Sequence, residues 1–349
     1  MKRARNRVGA DAAPRDFSEL TGVTNFAPSP LAGQELAKLA LSNAEVEKFN
    51  ADGFVGTSQP VLMPQQLEQL RHDLDALTDQ DRPHPSLDLL HELHYNEAGP
   101  ESGQVLFHCL GHWRIAASFH DLAYLDAITL PASQLLHGRP VRFWHDQAFV
   151  KPGGHGACVQ WHQDYSYWDR TGPMAHLTVH IALDDQTIEN GALHWVPGSH
   201  RWTREGGPLP QAAQKAREKM ERAKASGGGD ELAGASFDTD MDALFNHVLS
   251  EEERAQWASR PPETLLLKAG HAAFHHALSV HGSWGNKSSA PRRALVLNYF
   301  AHGTRSYMDG SLMAGMPAVA SGQMLGGRFH PVVFDTSRCD MSALPVAGV

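Results

Sequence analysis

Between residues 141 and 300 the chain is repeatedly cut into short extended segments by glycine and proline, and this punctuation restricts it to a largely antiparallel β architecture. Residues 141–150, Val-Arg-Phe-Trp-His-Asp-Gln-Ala-Phe-Val, are rich in β-branched and aromatic side chains. Residues 177–183 alternate cleanly. Leu177, Val179, Ile181 and Leu183 fall on one face and Thr178, His180 and Ala182 on the other, the two-residue period of a strand. Gly153-Gly154 is a turn, Asn190-Gly191 is a hairpin signal, and residues 192–196, 264–268, 272–281 and 292–300 read as further strands. Many short strands joined by tight turns close into a sandwich or a barrel.

Helices flank this β region. Ser42-x-x-Glu45 is a capping box that opens a short helix burying Val46 and Phe49, and Asp52-Gly53 ends it before a strand begins at Phe54-Val55. Met63-Pro64 leads into a second helix, with Leu67, Leu70, Leu74 and Leu77 at helical spacing. Residues 122–136 read as a third. Residues 205–262 interrupt the strands, with a charged helix over 211–224, a flexible Ser226-Gly227-Gly228-Gly229, and helices over 241–249 and 251–257. An insertion of this length reads as a lid, a contact in a homo-oligomer, or a solvated excursion. The expected organisation is an N-terminal arm over 1–41, flexible or wrapping, then one β domain over 42–340 with its helical insertion at 205–262, and a tail over 341–349. The Gly- and Met-rich stretch 310–334 matches no element by pattern.

The formal charge of −9 over 349 residues argues against a nucleic-acid partner, because neutralising phosphates needs a basic face. No run of about 18 apolar residues is present, so no membrane span is expected. The basic start, with Lys2, Arg3, Arg5 and Arg7, has no apolar run behind it and does not read as a signal peptide. Cys109, Cys158 and Cys339 form no close pair and suggest no disulfide framework. A reducing cytoplasm is the expected location.

The chain has 22 histidines, and the pattern around one of them is chemical. In Trp161-His162-Gln163-Asp164, a strand would point His162 and Asp164 the same way and turn Gln163 aside. A second imidazole from a distant strand would complete the 2-His-1-carboxylate set that holds non-heme Fe(II) and leaves positions open. His275, His276 and His281 compete for that place, with His275 sharing the parity of His281 and His276 on the other face. Eleven residues beyond His281 stands Arg292, a permanently charged planar fork suited to a carboxylate. His91-x-x-His94 and His108-x-x-x-His112 lack the glutamate of a zinc-protease helix. His194 and His200 flank a Pro-Gly turn and read as structural.

Several stretches then fall into a recognisable order: Leu41-Ser42-x-x-Glu45, Asp52-Gly53-Phe54-Val55, Trp161-His162-Gln163-Asp164, Glu189-Asn190-Gly191-Ala192-Leu193, Val196-Pro197-Gly198-Ser199-His200, the run 275–283, and Asn286-Lys287-Ser288 leading to Arg292. In these the chain resembles the phytanoyl-CoA dioxygenase family of Fe(II)/2-oxoglutarate oxygenases. The resemblance covers residues 41–300. It implies a double-stranded β-helix (jelly roll, cupin-like), mainly β with flanking helices. It implies iron held by His162, Asp164 and His281, with Arg292 gripping the distal carboxylate of 2-oxoglutarate and Ser283 a second donor to it. Gln147 and Lys151 stand where the family often places co-substrate contacts, although polar surface residues at a strand end would look the same.

Thr178 and His180, on the polar face of an inward strand, are candidates to line the co-substrate pocket, with a satisfied core histidine as the plainer state of His180. Tyr165, Tyr167, Trp168 and Arg170 follow the metal motif and are candidates for the substrate mouth, although aromatics there are as often packing. The implied reaction consumes O2, decarboxylates 2-oxoglutarate to succinate and CO2, and hydroxylates a C–H bond of a small molecule. Asp164 argues against halogenation, in which the carboxylate site is vacated for halide. The insertion holds 11 acidic and 7 basic residues, which does not favour the phosphates of an acyl-CoA and favours a small metabolite. The competing expectations are a catalytically silent jelly-roll binding or sensing protein, and a zinc hydrolase, in which Arg292 and Ser283 have no evident part.

Overall fold

The computed structural model describes residues 15–24, 26–28, 30–97, 105–154, 158–204, 207–208 and 251–348. Six α-helices lie within these residues: α1 (Gly33–Ala37), α2 (Asn43–Asp52), α3 (Pro64–Thr78), α4 (Ala117–Leu122), α5 (Asp126–Leu135) and α6 (Glu251–Ser259). The strands that build the scaffold are β1 (Phe54–Gly56), β2 (Glu92–Glu97), β3 (Val105–Leu110), β4 (Val141–Lys151), β5 (Val159–His162) and β6 (His176–Ala182). They continue as β7 (Leu193–Trp195), β8 (Glu263–Thr264), β9 (Ala272–His276), β10 (His281–Ser283), β11 (Arg292–Ala301) and β12 (Val332–Phe334).

The strands form two facing antiparallel sheets. The larger runs β1-β9-β6-β11-β4-β3-β2, with β12 also paired to β4, and the smaller runs β8-β7-β10-β5. This is the double-stranded β-helix expected from the sequence. Helices cover the outer face of the large sheet. Leu177, Val179 and Ile181 of β6 pack there with Leu70 and Leu74 of α3 and Ile128 of α5 in the main apolar core. The opposite face of β6 is also buried, but against the small sheet. Ala182 meets Phe54, Leu193, Trp195, Leu267 and Ala273, and Thr178 and His180 lie in the same interior. The alternation of β6 therefore separates an apolar core from a polar interior, not core from water.

Local signals are honoured where the chain is short-range. Ser42 accepts a hydrogen bond from the Glu45 amide, the Glu45 carboxylate accepts one from the Ser42 amide, and Gly53 closes α2 in the left-handed region at φ 84°. Two expectations give way to tertiary structure. Of the helix expected over 122–136, Asp126–Leu135 is α5 and only Leu122 belongs to α4, because the chain turns a corner at Leu125, which is extended at ψ 122°. The strand expected over 272–281 is β9 and β10, which lie in different sheets, because a jelly-roll strand must bend where it crosses from one sheet to the other. Of 264–268, only Thr264 is in a strand.

Part of the arm is a wrapping segment. The amides of Thr24, Phe26 and Ala27 donate to the Asp121 carboxylate, and Asp16 accepts from Arg114. Residues 1–14 and the helices expected over 211–224 and 241–249 lie outside the described residues, while the one expected over 251–257 is α6. Trp257 of α6 meets Trp161 on the outer face of the small sheet, ring centroids 5.0 Å apart. Stretch 310–334 forms a small hairpin, Gly310–Ser311 with Ala318–Val319, and then β12.

Candidate metal centre and active site

β5 and β10 are adjacent in the small sheet and antiparallel, with His162 directly opposite His281. Their imidazoles reach the interior with ring centroids 4.2 Å apart. Asp164 lies just beyond the end of β5, at the start of a 3-10 turn (Asp164–Tyr167), with Gln163 still extended. The i, i+2 relation of His162 and Asp164 thus survives although the strand itself stops at His162. Asp164 Oδ1 stands 3.5 Å from His162 Nε2 and 3.6 Å from His281 Nε2. One donor atom from each of the three residues lies within 4.8 Å of the others, so the group can hold a metal ion.

Hydrogen bonds set the ring orientation. His162 Nδ1 faces the Gln160 carbonyl at 2.8 Å and His281 Nδ1 faces the Ser279 carbonyl at 3.0 Å. A carbonyl only accepts, so each Nδ1 carries the hydrogen and each Nε2 keeps its lone pair for a metal. Burial pushes His281 well below the ordinary imidazole range, and the neighbouring His162 adds to it. Burial alone would raise the Asp164 carboxyl, yet the neighbouring His281 and His162 and the hydrogen bond from His275 hold it well below the carboxylate range. Burial also opposes a charge on His162, but Asp164 outweighs it and raises that imidazole, so a proton and a metal ion compete for the same position. The His162 side chain is 20% exposed against 9% for Asp164 and 6% for His281, so the centre opens on the His162 side.

His275 does not join the ligands, although its parity matches. It faces the same interior from the large sheet and turns Nε2 toward Asp164 Oδ2 at 3.0 Å. His276 points away, against Phe49 and His200.

Arg292 opens β11 directly opposite Lys151, the last residue of β4. It is buried, no hydrogen bond or ion pair reaches its side chain among the described residues, and its Nε is without a partner. Burial lowers its guanidinium to about 10, which still leaves it charged at neutral pH. A buried cation without an anion is costly, and a ligand carboxylate would remove that cost. Arg293 points the other way, into Asp184 and Asp75. Lys151 is fully buried rather than a surface residue at a strand end. Its Nζ donates to Ser283 Oγ at 2.7 Å and to the Trp284 carbonyl at 2.5 Å, and burial with the nearby Arg292 pushes the amine well below its usual range. The Ser283 hydroxyl accepts from Lys151, which leaves its own hydrogen to give.

The other expected residues are distributed less evenly. Thr178 donates a hydrogen bond to the Asp164 carboxylate at 2.5 Å. His180 is a satisfied core histidine, receiving Gln186 Nε2 at 2.8 Å and lowered to about 3 by burial and Arg292. Gln147 is half-buried and pairs with His108. Tyr165 and Trp168 are buried and pack with Trp144, Leu312 and Leu325, because the 3-10 turn swings them under the C-terminal hairpin. Tyr167 is exposed and its ring lies 6.1 Å from His162, at the open side of the centre. Arg170 donates to the Leu312 carbonyl and ties that hairpin to the loop. Sequence reasoning missed Asn298, which lies beside Thr178 and His145, and no pattern in the chain marked it.

Comparison with known proteins adds to this geometry. The family model described as phytanoyl-CoA dioxygenase matches residues 49–294. The chain is 25% identical to L-proline trans-4-hydroxylase of Streptomyces griseoviridis over 72% of its length and 84% of that protein's. It is 29% identical to ectoine dioxygenase of Halomonas elongata, over 57% of its length and 58% of that relative's, so there it spans little more than half. Among solved structures, the non-heme α-ketoglutarate-dependent epimerase SnoN from nogalamycin biosynthesis matches with a TM-score of 0.61 at 20% identity. That match covers 86% of this chain and 99% of that one, and it shows the shared fold.

Proposed function

Because this chain belongs to the phytanoyl-CoA dioxygenase family of Fe(II)/2-oxoglutarate oxygenases, we propose that it hydroxylates a C–H bond of a small-molecule substrate. The observation that carries the reading is the buried Arg292, a charged fork with no protein partner, in the same interior as a metal-ready His162, Asp164 and His281. The donor set fits Fe(II): two neutral imidazoles and one ionised carboxylate, with no fourth protein ligand among the described residues, leave room for a chelating co-substrate and O2. When bound, iron and 2-oxoglutarate supply an oxidant at the expense of O2, giving succinate and CO2 and placing one oxygen atom in the substrate as hydroxyl.

The chain's own residues do the rest. The Gln160 and Ser279 carbonyls orient the two imidazoles, so no tautomer change is needed to bind metal. Arg292, with the Ser283 hydroxyl in support, is placed to fix the distal carboxylate of 2-oxoglutarate. Lys151 positions Ser283 by donating a hydrogen bond to its hydroxyl oxygen. Arg292 is buried, and a charge-assisted pair is stronger away from bulk water. Tyr167, at the exposed side of His162, is placed to meet the substrate. Small molecules are the substrates that the names of two relatives specify, proline and ectoine, and this supports a small-molecule substrate here.

The test is an anaerobic titration of the apoprotein with Fe(II) and 2-oxoglutarate, read by the visible metal-to-ligand charge-transfer band. Wild type should develop the band. Arg292→Ala should weaken 2-oxoglutarate binding by roughly 10- to 100-fold, the scale of losing hydrogen bonds to a charged group. No band in folded wild type would overturn the reading.

A further inference from the structure

We propose that Thr178 and His275 are positioning residues that occupy the outer oxygen of Asp164 and so restrict this carboxylate to one oxygen toward the metal. This rests on the iron-centre reading above.

The two oxygens of Asp164 have separate surroundings. Oδ1 faces His162 Nε2 and His281 Nε2, at 3.5 and 3.6 Å. Oδ2 faces Thr178 Oγ1 at 2.5 Å and His275 Nε2 at 3.0 Å. Thr178 and His275 are direct cross-strand partners on β6 and β9, so a single register in the large sheet delivers both donors to one point. All three side chains are buried.

The proton positions are constrained by the acceptor. An ionised carboxylate oxygen only accepts, so His275 Nε2 carries the hydrogen. Its Nδ1 is buried without a partner. His162 and His281 have the opposite tautomer, with hydrogen on Nδ1 and Nε2 free. This difference explains why three interior histidines divide into two ligand-ready rings and one donor. Thr178 has one hydroxyl hydrogen and two near acceptors, Asp164 Oδ2 at 2.5 Å and Asn298 Oδ1 at 3.0 Å. The shorter contact, to the charged acceptor, takes it.

The consequence is for coordination. A carboxylate that binds through both oxygens takes up an additional position. A chelating co-substrate and O2 need every position the three ligands leave open. With Oδ2 held by two donors from the opposite sheet, Asp164 stays single-oxygen. Without them it is free to turn and close a position, which should keep iron while impeding 2-oxoglutarate.

The experiment compares Thr178→Val, Thr178→Ser and His275→Phe with wild type under anaerobic conditions. Fe(II) affinity is read by competition with a chromophoric chelator, and 2-oxoglutarate affinity by the charge-transfer band. Thermal melts verify folding. Thr178→Val and His275→Phe should bind Fe(II) within about threefold of wild type but lose at least about tenfold in 2-oxoglutarate affinity, the size expected for a charge-assisted hydrogen bond. Thr178→Ser should restore the wild-type band. The proposal is overturned if Thr178→Val matches wild type in both affinities, or if iron and 2-oxoglutarate affinity fall together, as a merely structural role would produce. The isosteric Thr178 pair decides the matter if His275→Phe does not fold. A wild type with no band instead removes the iron-centre reading itself.

Discussion

Arg292 and Arg293 are neighbours with opposite circumstances. Strand parity sends Arg292 into the interior, where Asp184 acts on it only through space and no ion pair forms among the described residues, and sends Arg293 outward to Asp184 at 2.8 Å and Asp75 at 2.9 Å. Removing a buried unpaired cation relieves a desolvation cost, whereas removing a paired one loses an interaction. Arg292→Met should therefore leave the apoprotein as stable as wild type or more stable, while weakening 2-oxoglutarate binding. Arg293→Met should cost about 1 kcal/mol, the upper range for a partly exposed ion pair, with little effect on that binding. Urea denaturation of the two apoproteins checks the contrast. A large stability loss in Arg292→Met would show that the guanidinium has a structural partner. The same parity was legible in the sequence. That the inner arginine would be left unpaired was not, because it depends on which carboxylates reach it from other strands.

At the scale of elements, α2 and its caps connect local sequence to the centre. The Ser42 capping box is a two-sided local device, and Ser42→Ala should cost about 1 kcal/mol of stability with iron affinity unchanged. Gly53, at the other end of α2, is different. Its φ is 84°, and a Cβ there would stand 2.4 Å from His200 Nδ1 and 2.5 Å from Ser279 Oγ. Ser279 also presents the carbonyl that orients His281. Gly53→Ala should cost roughly 1–3 kcal/mol through backbone strain and, by displacing Ser279, should lower Fe(II) affinity as well. Paired melts and metal titrations separate the two caps. An iron affinity unchanged in Gly53→Ala would remove the link to His281. The caps were readable because they depend on neighbours three or four residues away. The corner at Leu125 and the bend after His276 were not, since apolar periodicity runs through both and only packing against the sheets requires the turn.

For the whole molecule, the metal ligands and their support come from both sheets: His162, Asp164 and His281 from the small-sheet side, Thr178 and His275 from the large one. A metal that binds only the folded chain must stabilise it. Fe(II) at about a hundred times its Kd should add about 2.7 kcal/mol, a rise in Tm that a chelator reverses and that His281→Ala abolishes. Anaerobic thermal melts with and without Fe(II) measure this, and an equal rise in His281→Ala would place the metal elsewhere. Among the described residues no helix is long and apolar enough to cross a membrane, in accord with the hydropathy of the sequence.

The sequence by itself determined the strand-and-turn grammar, the caps of α2, the His162-x-Asp164 pair and the parity that turns Arg292 inward. Each of these depends on residue type and short spacing. Spacing left His275, His276 and His281 open and the family resemblance implied His281, but the physical reason is tertiary, because it lies in which acceptor each ring meets. His281 finds a backbone carbonyl at Nδ1, and His275 finds a carboxylate at Nε2. Tertiary structure also decided that Tyr165 and Trp168 pack beneath the C-terminal hairpin while Tyr167 stays at the opening. The carbonyl that His281 meets is only two residues away, but the carboxylate that His275 meets is 111 residues away and the hairpin over Tyr165 and Trp168 is as remote, so no local pattern encodes the difference.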